Sequence, residues 1–496
     1  MLEGLRSGVL YTALGKYSNV VIQLAVNMVL SRLLSPRDYG VVAVAQVFLL
    51  FFTTIVDAGL GPAVIQNRSL SERDHRVLFS YSIVFSCILS ILFAATGPLI
   101  AHFYGNPVYL PLALAMSSTL LLQGFNMIPN ALMNKAKRFR EVNLRLVASN
   151  LCGGVAGIWT ALAGWGAYAL VMSFTVPALV AFVLNMLLLR VWPARSLERA
   201  SLSKVWKFAK SQFGFNFINY FSRNIDKILV GKFMGPAAVG NYSKSYQLLM
   251  LPNQVLLEVI NPVLLPVLAD HQDDVRTVRE VYYKLVRFLL LIGFPLSVFL
   301  FFQAANVIRV MYGSQWGAAV LPFSILALTV WVQMSLSSTG SIFQVLGQTG
   351  YLFWNGCITA LLLVSSIVIG CLLGSLTTLA ISLSVGFVLN FVVIFFLMTR
   401  KLFASSFLDF LRRVCLVPLG GGVLVGAVLL ALKLALPELG TLLSLVVSGV
   451  SSLLIFAIYT KMTGQMGTLR ALLFRRSPAH VQLSGEEGKT QGKEQD

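Results

Sequence analysis

Along most of the chain, long apolar blocks alternate with short polar breaks. A helix needs about 20 mostly apolar residues to cross a bilayer. The blocks predict fourteen such helices, at 9–33, 40–66, 77–102, 108–133, 143–163, 167–190, 209–233, 237–267, 282–303, 317–346, 349–373, 376–399, 411–434 and 441–462. Residues 478–496 are polar and aperiodic and read as a disordered cytoplasmic tail.

Composition supports this pattern. Of 496 residues, 57% are hydrophobic and 11% charged. Soluble domains run near 45–50% apolar and about 25% charged. A cytosolic enzyme, a disordered chain and a fibre are excluded, and the fold class is an all-α integral membrane protein.

A net charge of +19 would suggest nucleic acid in a soluble protein. Sorting the 38 Lys and Arg residues by loop gives another answer. One set of loops carries 29 of them, and the opposite set carries Arg32, Arg37, Lys232, Arg309 and Lys433. Lys16, Arg223, Lys227 and Lys244 fall inside helices. This is a positive-inside bias that places both termini in the cytoplasm, so no nucleic-acid partner is expected.

The extracytoplasmic loops are short, the longest being around 304–316, and hold no catalytic domain. Gly8, Gly15 and Lys16 have the wrong spacing for a phosphate loop and sit in a helix, which argues against ATP-driven transport by this chain. The N-terminus lacks the features of a cleaved signal peptide. Cys87, Cys152, Cys357, Cys371 and Cys415 lie in apolar runs without metal-ligand spacing. His75, His102, His271 and His480 lie in loops or the tail. No metal, cofactor, disulfide or histidine proton relay is expected.

A shift of 200 residues reveals an internal repeat. Arg32-Leu-Leu-Ser-Pro36-Arg-Asp-Tyr-Gly40 falls on Lys232-Phe-Met-Gly-Pro236-Ala-Ala-Val-Gly240, and Pro62 on Pro262. Asn19 falls on Asn219, Gln23 on Arg223, and Asn27 on Lys227. One further slip pairs Gln46 with Gln247 and Asp57 with Glu258. Six helices per copy give both copies the same orientation, as in parallel-repeat transporters. The expected organisation is an N-terminal six-helix lobe (1–192), a second six-helix lobe (205–402), two extra helices (411–463) and the tail. The lobes would enclose a central cavity.

A polar stripe in a membrane helix marks a face turned to water or protein. The helix at 9–33 carries Thr12, Lys16, Asn19, Gln23 and Asn27, in steps of 4, 3, 4 and 4 that share one face. The helix at 209–233 carries Gln212, Asn216, Asn219, Arg223 and Lys227 in the same steps. Tyr242, Lys244, Ser245, Asn253 and Glu258 follow in the next helix, and Gln46, Thr53 and Asp57 lie in its repeat partner. Such residues can be interhelical glue, and Arg223 and Asp226 can be an i,i+3 ion pair. The recurrence of the stripe in both halves, with its cations, fits the lining of a net-positive cavity better. Such a lining suits an anionic, hydroxyl-rich ligand: ammonium and guanidinium groups bind phosphate, and amides serve sugar hydroxyls.

Lesser features have plain readings. Lys135-Ala-Lys-Arg-Phe-Arg140 is a positive-inside anchor that could also touch lipid phosphate. The pairs Gly153–Gly157, Gly370–Gly374 and Gly422–Gly426 suggest close helix packing. Asn67-Arg-Ser69 matches a glycosylation pattern but lies in a cytoplasmic loop.

Three segments carry a family resemblance: Asp57-Ala-Gly-Leu-Gly61, Asp226-Lys-Ile-Leu-Val-Gly-Lys-Phe-Met-Gly-Pro236 and Val239-Gly-Asn-Tyr-Ser243. The chain resembles the polysaccharide transporter (Wzx-type flippase) family of the multidrug/oligosaccharidyl-lipid/polysaccharide exporter superfamily, nearest its teichuronic-acid and colanic-acid exporters. The resemblance covers about residues 1–460. It implies two six-helix lobes, a V-shaped cavity lined by helices 1, 2, 7 and 8, and alternating access in a bacterial inner membrane. It also implies a non-enzyme that moves an undecaprenyl-pyrophosphate-linked oligosaccharide to the periplasmic leaflet for O-antigen, capsule or exopolysaccharide. Expected partners are that lipid-linked oligosaccharide, membrane lipids, and polysaccharide polymerase and assembly proteins.

On this reading Lys16, Arg223, Lys227 and Lys244 meet the pyrophosphate. Asn19, Gln23, Asn27, Asn216 and Asn219 meet sugars. Asp57, Asp226 and Glu258 are candidates for exchanging H+ or Na+, although outward movement of a negative headgroup is also driven by the membrane potential. Three rival readings stay open: a multidrug cation antiporter, whose cavity should favour carboxylates and aromatics; a lipid II flippase; and a membrane glycosyltransferase or polymerase, which would need sizeable external loops.

Overall fold

The computed structural model describes residues 2–57, 60–269, 272, 274–437 and 439–465. The side chains of residues 2–14, 207–219, 221–223, 255–269 and 349 lie outside what is described. The predicted tail at 478–496 also lies outside the described residues. Among the described residues the chain is helical, without strands.

The helices are α1 (Leu2–Leu33), α2 (Pro36–Asp57), α3 (Leu60–Gln66), α4 (Glu72–Ala95), α5 (Gly97–Tyr104), α6 (Tyr109–Lys135), α7 (Phe139–Leu162), α8 (Ala167–Leu189), α9 (Arg199–Met234) and α10 (Pro236–Ala269). They continue with α11 (Val275–Phe302), α12 (Ala304–Tyr312), α13 (Gly317–Ala327), α14 (Val330–Leu336), α15 (Thr339–Val345), α16 (Thr349–Leu372), α17 (Leu376–Leu397), α18 (Phe407–Ala435) and α19 (Thr441–Met462). A 3-10 turn at Ser314–Trp316 precedes α13, and a π-helical turn at Met398–Leu402 follows α17.

Nine described segments are long and apolar enough to cross a membrane, or ten if the pair Ser314–Ala327 and Val330–Val345, bent by 53°, is one broken span. The chain is a multi-pass membrane protein. Helices α1, α7, α9 and α10 are not among the nine. Each carries charged or amide residues along its length, so the predicted count of fourteen spans does not follow from length and apolarity alone. Two predicted edges also move. The helix expected from 209 begins at Arg199, because the basic run through Lys210 hid its first turns. The loop expected at 304–316 is largely helical, as α12 and the 3-10 turn.

The chain forms two compact units. The first comprises the described residues of 1–251, 304–326 and 354–390; the second comprises those of 252–303, 327–353 and 391–496. In the first unit, α7 packs on α8 through glycines. A Cβ on Gly153 would overlap the Pro177 ring, and one on Gly157 would lie 2.9 Å from Ser173 Cβ. Gly154 gives the same close approach to Val26 of α1. Ser71 and Asp74 form a capping box at the start of α4. The buried Asp74 also accepts from Ser201 Oγ at 2.7 Å and Lys204 Nζ at 2.8 Å, which seats the first turns of α9 on α4.

Two positions paired by the 200-residue offset meet within this unit. Pro36 opens α2 and Pro236 opens α10, where a missing N–H costs nothing. Gly40 and Gly240, one turn later, pack backbone to backbone. A Cβ on Gly40 would overlap the Pro236 carbonyl, and a Cβ on Gly240 would overlap the Pro36 carbonyl.

In the second unit, α18 lies on α11. Gly422 allows contact with Phe294, and Gly426 sets Val298 at 3.2 Å from its would-be Cβ. Tyr459 of α19 donates to the Val417 carbonyl at 2.7 Å, beside Gly420 and Gly421. Phe294 stacks on Trp331 at 4.6 Å, and Phe395 on Phe410 at 4.7 Å. Of the three predicted glycine pairs, 153–157 and 422–426 are packing sites. Gly370 packs on Leu379, but Gly374 has φ +77° and open space around it, so it serves a turn instead.

Candidate functional site

The polar stripe of α1 is divided between exposed and occupied positions. Lys16 and Gln23 are exposed. Asn19 accepts a hydrogen bond from Asn150 Nδ2 of α7 at 2.6 Å. Asn27 has both polar ends engaged: its Nδ2 donates to Gln247 Oε1 at 3.0 Å, and its Oδ1 accepts from Lys244. Exposure thus falls on Lys16 and Gln23, while Asn19 and Asn27 are engaged by neighbouring helices.

On α9, Lys227 is half-buried. The side chains of Arg223, Asn216 and Asn219 lie outside the described residues, as do those of Thr12, Gln212 and Glu258. Asp226 is buried, and Tyr242 of α10 donates to its Oδ2 at 2.9 Å. The other oxygen, Oδ1, is buried and has no hydrogen-bond partner among the described residues. Asp57, at the end of α2, is exposed.

Lys244 is 3% exposed and sits in a cage from four elements. Its Nζ donates to Asn27 Oδ1 and, at 2.8 Å, to Ser31 Oγ, both on α1. The same atom lies 3.9 Å from the ring centroid of Tyr39 on α2, 4.5 Å from that of Tyr312 on α12, and 5.5 Å from that of Trp316 on the 3-10 turn. Tyr39 and Trp316 meet edge to face at 5.3 Å. Trp316 and Gln315 donate to the Ser31 carbonyl, at 2.8 and 2.6 Å, and Gln315 also reaches the Leu34 carbonyl at 3.0 Å. Arg32 returns a bond to the Val310 carbonyl at 2.7 Å.

The structure therefore brings Asn27 and Lys244 together, and sets Asp226 beside Tyr242. It separates Lys16 and Gln23 from both groups by exposure. The sequence reading missed Tyr39, Tyr312 and Trp316. One signal was present: the repeat fails where Tyr39 faces Val239 and where Lys244 faces Val44. Asn126, Asn130, Arg145 and Asn185 were also missed. Arg145 is buried, its guanidinium donating to Asn185 Oδ1 and, at 2.9 Å, to Asn130 Oδ1, while Asn185 Nδ2 donates to Asn126 Oδ1 at 2.8 Å. Among the described residues no group of three His, Cys, Asp or Glu could hold a metal ion.

Comparison with known proteins joins these observations. The profile of a family described as polysaccharide biosynthesis protein matches residues 29–321. The chain belongs to that family. The resemblance drawn from the three motifs is thereby borne out. Curated relatives span most of the chain. Teichuronic acid biosynthesis protein TuaB of Bacillus subtilis (strain 168) is 23% identical over 441 residues, covering 86% of this chain and 89% of its own. Lipopolysaccharide biosynthesis protein WzxC of Escherichia coli (strain K12) is 22% identical, covering 82% and 83%. Succinoglycan biosynthesis transport protein ExoT of Rhizobium meliloti (strain 1021) is 25% identical, covering 74% of each chain.

Among solved structures, the lipid II flippase MurJ in an inward closed conformation matches with TM-score 0.72 at 12% identity, over 92% of this chain and 99% of its own. An inward-facing multidrug resistance MATE family transporter matches with TM-score 0.58 at 13% identity, over 78% and 95%. At these identities the likeness is one of fold.

Proposed function

We propose that this protein moves a lipid-linked oligosaccharide with an anionic, pyrophosphate-type headgroup across the cytoplasmic membrane of a bacterium, for surface polysaccharide synthesis. The observation that carries the reading is the stripe repeated in steps of 4, 3, 4 and 4 on α1 and α9, with Lys16 and Gln23 exposed on a helix of a membrane protein. A helix face this polar is costly against bare hydrocarbon, so this face serves water, protein or a polar cargo. The relatives named for polysaccharide biosynthesis and transport, and the fold shared with a lipid II flippase, support the same reading.

In this scheme the lipid tail stays in the bilayer while the headgroup follows the stripes. Lys16, Lys227 and Arg223 attract the diphosphate, and Gln23, Asn19, Asn216 and Asn219 exchange hydrogen bonds with sugar hydroxyls. The two six-helix halves of the repeat rock to alternate access, with the termini in the cytoplasm. Asp226 is the foremost of the candidates for H+ or Na+ exchange, since it is buried and one of its oxygens has no partner among the described residues; Asp57 and Glu258 are the others. Flipping breaks no bond, so no catalytic residue is assigned.

The test is replacement of Lys16, Arg223 and Lys227 by Ala, singly and together, with surface polysaccharide followed in cells. Polymer should fall sharply while the protein persists in the membrane. Normal polymer at normal protein levels rejects the reading.

A further inference from the structure

Lys244 is buried where the ends of the two repeats meet, yet among the described residues no carboxylate holds it. Its neighbours are two neutral oxygen acceptors, Asn27 Oδ1 and Ser31 Oγ, and the rings of Tyr39, Tyr312 and Trp316. A lysine in so dry a place loses its hydration. The ring quadrupoles and two neutral acceptors take the place of that hydration, and each is a weaker partner than an anion. The cage therefore holds together α1, α2, α10 and the α12 segment through a charge that a better acceptor can draw away. A lysine–carboxylate pair would make a poor version of this device, because an incoming anion would have to displace a formal counter-charge.

We propose that Lys244 is a substrate-released latch. With its ammonium in the aromatic cage, it holds the α1–α2 and α9–α10 hairpin tips shut. An arriving diphosphate headgroup offers it charge-assisted hydrogen bonds, draws it out of the cage and frees the tips to separate. This deepens the proposed transport reading and rests on it for the chemistry of the anion. It gives Lys244 a different task from Lys16, which is exposed. The Gly40–Gly240 contact lies one helical turn from Lys244 along α10, so opening the cage acts directly on the joint between the repeats.

The test reads opening alone, in full-length protein purified in detergent. Val41, buried beside Gly40, is replaced by Cys, and its reaction with a water-soluble maleimide is timed against the five native cysteines alone. The V41C protein should label slowly, and V41C with Lys244→Met about tenfold faster, the scale of one desolvated cation–π cage. Tyr312→Leu removes one wall and keeps both hydrogen bonds. It should also speed labelling, and it provides a second route if Lys244→Met does not fold. Inorganic pyrophosphate should accelerate V41C but not V41C with Lys244→Met, while sodium chloride of matched ionic strength leaves both unchanged.

Equal labelling with and without the lysine overturns the latch. Fast labelling in the Lys244→Met protein, with no response of V41C to pyrophosphate, overturns release by the anion. Neither result depends on polysaccharide export in cells, so failure here and failure of the transport reading can be told apart.

Discussion

Gly40 and Gly240, equivalent positions of the internal repeat, lie against each other with no room for a side chain on either. The would-be Cβ of Gly40 overlaps the Pro236 carbonyl and lies 3.1 Å from Gly240 N. Backbone cannot yield as a flexible side chain can. Gly40→Ala and Gly240→Ala are each expected to destabilise the protein by about 1–3 kcal/mol, the usual range for overpacking. Because they strain one contact, the double variant should lose less than the sum. Thermal unfolding in detergent measures both; additive losses would show that the two sites do not share the contact.

Asp226 and Tyr242 form a buried pair in which one carboxylate oxygen has no partner among the described residues. Asp226→Asn is expected to leave the protein in the membrane while abolishing the dependence of export on external pH or sodium. Tyr242→Phe, which keeps the carboxylate, should weaken that dependence without removing it. Export rates in vesicles with imposed ion gradients provide the measurement. An unchanged gradient dependence in Asp226→Asn would exclude this residue from coupling.

The seating of α9 on α4 depends on Asp74. Asp74→Ala leaves Lys204 and Ser201 without their acceptor. With Lys204 partly exposed, the expected loss is about 1–2 kcal/mol, between the values for exposed and fully buried pairs. Ser201→Ala should cost less, since the ion pair survives. Unfolding midpoints of the two variants provide the comparison.

Arg145 bridges the side-chain amide oxygens of Asn130 and Asn185 on different helices. Arg145→Met strands the buried Asn185 amide and the half-buried Asn130 amide and is expected to cost about 2–4 kcal/mol, an unsatisfied buried group accounting for about 1–3. Arg145→Lys should not restore stability, because an ammonium lacks the planar fork that spans both acceptors. Full stability of the lysine variant would show that only charge matters there.

Helical periodicity made most of the architecture legible from sequence. Each predicted apolar block overlaps a helix, and the offset of 200 residues led to the Gly40–Gly240 contact. Edges failed where charge interrupts a helix, as at Arg199, or where a helix is short, as in α12. The site was half legible. Steps of 4 and 3 identified the stripe, but periodicity names a face and not its occupant. The stripe alone does not distinguish exposed Lys16 from Asn27, whose amide is already spoken for. Tyr39, Tyr312 and Trp316 come from three separate elements, and no local spacing joins them. Their only trace was the failure of the repeat at positions 39 and 44.

The turn after α12 grips the end of α1 by its main chain. Gln315 and Trp316 reach the carbonyls of Ser31 and Leu34, and Arg32 reaches that of Val310. Carbonyls are common to every residue type, so the first hairpin at 34 and α12 at 310 can drift in sequence without undoing this clasp. Constraint falls instead on three donors, Arg32, Gln315 and Trp316. Homologous chains could thus remodel the rest of the tip to suit different cargoes while keeping the same fastening.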